Sequence, residues 1–286
     1  MYNQLKTILL FGVLSALLIA VGGALAPQAL GVFVVLALAM NLGAYFFSDR
    51  LVLSMYRARE VGPREAPELH ALVRDLAARA ELPMPRLYVV PGAQANAFAT
   101  GRSPAHGVIA VTEGLLASLD ARAIRGVLAH ELAHIKNRDI LLSTVAAILA
   151  SVIGTIGQAL SFGMMFGRDD DDRHPAAGLA LAIVAPIAAT LVQFAISRAR
   201  EFRADEIGAR ISGDPEGLAR ALESLERGAR RAPVAVPAGT ASMFIVNPFG
   251  ALDTMARWFS THPPMPERIA RLRAMAPARG ARVAYA

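Results

Sequence analysis

The chain has no cysteine in 286 residues. That excludes a disulfide framework, a thiolate metal ligand and a cysteine nucleophile, so any metal must be held by histidine or carboxylate. The absence suits a reducing compartment without requiring one. Charge is also sparse. Asp, Glu, Lys and Arg make up 18% of the residues against 55% hydrophobic ones, and mean hydropathy is +0.43. A soluble domain carries about 25% charged residues, so the deficit points to membrane segments. Internal repeats, a phosphate-binding loop and a nucleic-acid module are all missing. The net charge of +6 and pI near 10.3 are therefore assigned to basic residues flanking membrane spans, with no nucleic acid as partner.

What the chain does have is apolar length. Between Lys6 and Asp49 there is no charged residue. That interval accommodates two spans of about 18–20 residues, at 7–26 and 28–47, turning at Pro27. Ala24-Leu25-Ala26 also fits a signal-peptide cleavage site, but Pro27 would follow the cut and a second apolar run follows at once. Further apolar runs cover 140–166 and 176–196, the latter with Pro186 as a kink. Between them lies an acidic stretch from Arg168 to His174 that reads as a solvated loop. All but two of the 29 Lys and Arg (Arg168 and Arg173) fall on the opposite side of the membrane from that loop if all four runs span. The positive-inside rule then places both termini in the cytoplasm.

The chemistry centres on the stretch from Arg125 to Asp139, which reads as a helix carrying H-E-x-x-H. Asp120 is its expected N-cap, and Leu119, Ile124, Val127, Leu128, Leu132 and Ile135 form an apolar stripe at helical spacing. His130 and His134 lie four residues apart on one helix face, where two imidazoles converge on one metal. Glu131 stands beside the first ligand, positioned to take a proton from a metal-bound water. The motif helix leads almost straight into the run at 140–166, so the metal belongs near the membrane surface rather than in its core. The charged residues Lys136, Arg138 and Asp139 beside the motif agree with that depth.

Two histidines leave a catalytic metal needing a third protein ligand and an open position. Glu201, just past the fourth apolar run, is expected at the depth of His134, with Glu206 and Glu113 as rivals. Asp205 shares the Glu201 face at i+4, which suits a carboxylate hydrogen-bonded to a ligand histidine. Helices are expected at 68–80, after Asp214 with Pro215 at the first position, and at 266–276. Strands are expected at 86–90, 97–100 and 108–111, giving an α+β unit whose edge strand could hold a substrate backbone. Residues 227–250 read as a long Pro- and Gly-rich loop. Arg268, Arg271 and Arg273 read as a solvated basic face.

Several segments in order resemble the HtpX-type membrane-bound zinc metalloproteases, relatives of the CAAX prenyl proteases within the gluzincins. They are residues 96–102, 111–116, 127–139, 197–205 and 244–248, followed by Thr261-His262-Pro263-Pro264 and Glu267-Arg268-Ile269. The resemblance implies a mainly α, α+β zincin-like fold. It has an N-terminal transmembrane hairpin (1–47), a cytoplasmic protease domain in two parts (48–139 and 197–286) and a second transmembrane hairpin between them (140–196). It implies one Zn2+ bound by His130, His134 and Glu201, with Glu131 as general base. Asp205 would support a ligand, Asn96, Ala97 and Phe98 would line the substrate edge, and His262 would steady the oxyanion. The expected activity is cleavage of misfolded or unassembled membrane proteins at the cytoplasmic face of the bacterial inner membrane, in a stress response.

Overall fold

The computed structural model describes residues 2–25, 27–148, 198–231, 244–245 and 263–275. Helices α1 (Tyr2–Leu25) and α2 (Leu30–Met55) form a hairpin through a 3-10 turn at Pro27–Ala29. In this apolar pair the Asn41 amide donates to Ser15 Oγ (2.6 Å) and to the Phe11 carbonyl (3.4 Å), a polar bond of the kind that joins helices in lipid. The stretch Pro27–Met55 is long and apolar enough to cross a membrane, and Val32, Val35, Leu38 and Leu42 are exposed along it. The helix continues past the apolar run, which ends at Phe47, because its lower end joins the next domain. There Asp49 is buried and accepts from Arg86 Nη2 (2.8 Å). The third and fourth apolar runs and the acidic loop lie outside the described residues, apart from a helical segment at 140–148.

Four strands follow: β1 (Arg59–Glu60), β2 (Arg86–Val90), β3 (Ala97–Thr100) and β4 (Val108–Thr112), in sheet order β1-β2-β4-β3. Strands β2 and β4 run parallel, while β3 is an edge strand antiparallel to β4. Successive side chains point to opposite faces of a sheet, and both faces here are apolar. Leu87, Ala97, Ala99, Ile109 and Val111 join the main core. Val90, Phe98, Val108 and Ala110 join a second cluster with Val52 and Leu53 of α2 and Ala147. The three expected strands are present, β4 one residue longer. The two residues of β1 are too few to show alternation in the sequence.

Helix α3 (Pro67–Arg79) precedes β2, and α4 (Glu113–Ser118) follows β4, capped by Thr112 Oγ1 accepting from Leu115 N (3.1 Å). Helix α5 (Ala121–Lys136) carries the H-E-x-x-H motif and begins where Asp120 Oδ1 accepts from Ala123 N (2.7 Å). It does not run straight on. It stops at Lys136, Arg138 takes φ +57°, and helix resumes at residue 140. Helices α6 (Arg198–Ser212), α7 (Pro215–Arg231) and α8 (Met265–Met275) complete the described fold. Asp214 caps α7 through Gly217 N (3.1 Å) and pairs with Arg122 at the start of α5. The loop expected from 227 is helical as far as Arg231.

Two glycines let α6 and α7 lie against α5 backbone to backbone. A Cβ at Gly208 would fall 2.9 Å from both Cα and N of His130, and one at Gly126 would fall 2.7 Å from the Leu218 backbone. These approaches fix the height at which α6 presents its carboxylates to the motif.

Candidate metal centre

His130 and His134 project from one face of α5, and their Nε2 atoms lie 3.2 Å apart. Glu201, in the first turn of α6, brings Oε2 to 3.8 Å from His130 Nε2 and Oε1 to 3.7 Å from His134 Nε2. A tetrahedral ion with bonds of about 2.0–2.2 Å has ligand–ligand edges of about 3.3–3.6 Å. The observed separations, taken to one or the other Glu201 oxygen, lie within a few tenths of an ångström of such edges, and a donor set of two imidazoles and a carboxylate suits a divalent ion such as zinc. Among the described residues this is the one group of three or more His, Asp or Glu side chains close enough to hold a metal. The rivals stand elsewhere. Glu206 is exposed and pairs with Arg210, and Glu113 is exposed and accepts from Gly92 N.

Each histidine turns its other nitrogen to a carboxylate. His130 Nδ1 lies 3.0 Å from Asp205 Oδ1, as the i+4 spacing from Glu201 led one to expect. His134 Nδ1 lies 3.1 Å from Asp139 Oδ2, a partner the sequence reading missed. Carboxylates so placed can fix a ring's orientation and leave its Nε2 available to a metal. Burial lowers the affinity of His134 for a proton, but Asp139, Glu201 and Glu131 more than reverse this and push its pKa up to about 10 without a metal. The carboxylates of Asp139, Glu201 and Glu131 thus favour positive charge at this position.

Arg268 is the second miss. It sits on α8 with 0% exposure, not on a solvated face. Its Nε and Nη2 each donate to Asp205 at 2.7 Å, and Nη1 lies 3.6 Å from Glu201 Oε2. Burial opposes the charge on Asp205, but Arg268 overrides it and holds the carboxyl below its ordinary range. The signal was present in the sequence. Met265, Arg268, Ile269 and Leu272 fall at i, i+3, i+4 and i+7, so the arginine occupies the core stripe of its helix. Arg271 and Arg273 are exposed as expected, paired with Glu267 and with Glu216 and Glu223.

Glu131 is 4% exposed. Burial raises its pKa, the two histidines oppose that, Glu201 adds to it, and an Ala99 N–H hydrogen bond lowers it again. That bond comes from the edge strand. Thr112 N donates to Asn96 O (2.9 Å), so residues 96 and 98 face β4, and the backbone groups of Ala97 and Ala99 point away from it. The side chains of Ala97 and Phe98 are packed in the two cores, Phe98 against Tyr56 with ring centroids 5.2 Å apart. What β3 leaves outward at this edge is therefore backbone rather than these side chains. Asn96 is buried and accepts at Oδ1 from Ile245 N (3.1 Å). His262 lies outside the described residues.

A model of peptidase family M48 matches residues 63–276. A protease HtpX homolog of Pelotomaculum thermopropionicum is 50% identical over 280 residues, covering 96% of this chain and 99% of that one. One from Syntrophobacter fumaroxidans is 50% identical over 284 residues, covering 96% and 100%, and one from Burkholderia thailandensis is 49% identical over 286, covering 96% and 98%. The crystal structure of S. mikatae Ste24p superposes with a TM-score of 0.51 at 18% identity, over 94% of this chain and 67% of that one, which shows a shared fold. The family match and these relatives, with a His-His-Glu cluster on the motif helix and a second helix, agree: the chain belongs to peptidase family M48 and is a metallopeptidase.

Proposed function

We propose that the protein is a membrane-integrated zinc endopeptidase that cleaves misfolded or unassembled membrane proteins at the cytoplasmic face of a bacterial inner membrane. The observation that carries this reading is the triangle of His130, His134 and Glu201 beside buried Glu131 and the backbone edge of β3. Four spans in two hairpins, at 1–47 and 140–196, would anchor a protease domain built from 48–139 and 197–286. The basic residues on the protease side of those spans support a cytoplasmic orientation.

In this reading His130, His134 and Glu201 hold the ion. When bound, the ion supplies Lewis acidity, which brings a water's pKa to about 7. The Ala97 backbone and the Ala99 carbonyl align an extended substrate as an added strand, the Ala99 N–H being bonded to Glu131. Glu131 takes the proton of the attacking water at its carboxylate and delivers it to the departing amine nitrogen. Burial raises its pKa above the ordinary carboxylate value, which makes it a stronger base toward that water. His262 is the proposed donor to the oxyanion, through its ring N–H.

The test is reconstitution. Purified protein in vesicles is given an unassembled membrane protein and its folded counterpart, with and without a chelator, and a C-terminal reporter fixes the orientation in cells. Chelator-sensitive cleavage of the unassembled form and a cytoplasmic reporter are expected. A metal-loaded protein that binds unfolded chains and cleaves none would instead be a scaffold in which the ion staples α5 to α6.

A further inference from the structure

Arg268 makes more contacts than the support of a ligand requires. Two of its nitrogens hold both oxygens of Asp205, at 2.7 Å each, and Asp205 in turn reaches His130 Nδ1. The third nitrogen, Nη1, donates to the carbonyl of Ile245 at 3.3 Å. The N–H of that same residue donates to Asn96 Oδ1, one residue before edge strand β3 begins. Phe244 and Ile245 are both buried, and the Phe244 ring lies 6.3 Å from Tyr56, which also contacts Phe98 of β3. The short segment is thus held by both of its backbone groups at Ile245, one bonded to the metal side and one to the substrate side.

We propose that Arg268 is a positioning residue that sets two parts of the cleft at once. Through Asp205 it orients His130, and through the Ile245 carbonyl it seats the Phe244–Ile245 segment against Asn96 at the head of β3. Only a guanidinium can do this. It presents its donors as a rigid planar fork, so two can grip a carboxylate while a third reaches a carbonyl in another direction. A lysine ammonium carries the same charge as a point and cannot meet both partners in that geometry. Burial sharpens the requirement, because an unmet buried donor or acceptor carries its full desolvation cost. The metal half of this inference rests on the ion site proposed above; the Ile245 half does not.

The experiment uses the full chain in detergent, with wild type, Arg268→Lys, Arg268→Ala and Asn96→Ala. Zinc affinity is measured by competition with a chelator, and Ile245 amide exchange is followed by mass spectrometry on the metal-free proteins. Arg268→Lys is expected to weaken zinc by about 10–100-fold, the range for losing an outer partner of a ligand histidine, and to speed exchange at Ile245. Added guanidinium ion should restore zinc affinity to Arg268→Ala by refilling the vacated site, whereas ammonium should not. Asn96→Ala should speed Ile245 exchange while keeping zinc affinity within about twofold of wild type, since Asp205 is untouched. If Arg268→Lys folds and binds zinc as wild type does, with Ile245 equally protected, the proposal is wrong. If it merely melts earlier, with unchanged zinc affinity and no guanidinium rescue, Arg268 is a stabilising ion pair and the proposal is again wrong. Failure of wild type to bind a divalent ion would count against the metal site itself, and exchange at Ile245 would still decide the other half.

Discussion

Replacing Gly208 by alanine adds one methyl group, and the structure says where it goes. The new Cβ would lie 2.9 Å from Cα and N of His130 and 3.1 Å from the Ala129 carbonyl carbon. All three are backbone atoms of α5, so no side chain can swing aside. Carbon contacts settle at about 3.5–4.0 Å, so α6 must retreat from α5 by about 0.5–1 Å. Overpacking of this kind costs about 1–3 kcal/mol. The functional cost is larger, because Glu201 and Asp205 ride on the same helix. A site loses its geometry once its ligands move by about 0.5 Å. Zinc affinity in Gly208→Ala should therefore fall by at least about tenfold, or about 1.4 kcal/mol. Gly228 on α7 is the control: a Cβ there meets nothing within 4 Å. Gly228→Ala should raise stability by up to about 1 kcal/mol through helix propensity, or about 2–4 °C in Tm, and leave zinc alone. Chelator competition and thermal melting read both variants. Wild-type zinc affinity in Gly208→Ala would refute the argument that helix approach sets the ligand triangle.

Two further perturbations separate site from scaffold. Asp139→Asn keeps an acceptor for His134 but removes the charge, and zinc affinity by chelator competition should drop by about 10–100-fold with little change in fold. Asp214→Ala removes the cap of α7 and the partner of Arg122, and should cost about 1 kcal/mol at pH 7. Arg122 holds the Asp214 carboxyl below its ordinary 3.8, so its contribution is full above that value and fades as pH falls through the lower folded one. Melting curves of variant and wild type should converge in acid; a constant gap would remove the charge from the explanation.

Much of the site was legible because helical spacing is a rigid code. His130 and His134 at i+4, and Glu201 and Asp205 at i+4, needed only the assumption of helix. The depth argument then brought α5 and α6 together, and the observed triangle agrees. Asp139 was hidden because it reaches His134 across a left-handed turn at Arg138, where no periodicity applies. Arg268 was hidden by its charge: three arginines in six residues suggested solvent, although the apolar stripe of α8 ran through one of them. The two-residue β1 and the seat of Phe244–Ile245 depend on partners far along the chain, at Tyr88 and Val89 and at Asn96 and Arg268. Local sequence carries no trace of either. Glycines 126 and 208 looked like ordinary helix glycines, and their meaning appears only when the neighbouring backbone is in place.

In the proposed site His130, His134 and Glu201 hold an ion whose chemistry needs Glu131. Wild type and Glu131→Gln, purified in detergent, can be compared for zinc per chain and for cleavage of an unfolded model protein. One zinc in each, with cleavage lost by about 100-fold or more in the variant, is the predicted result. Equal cleavage by both proteins would contradict it.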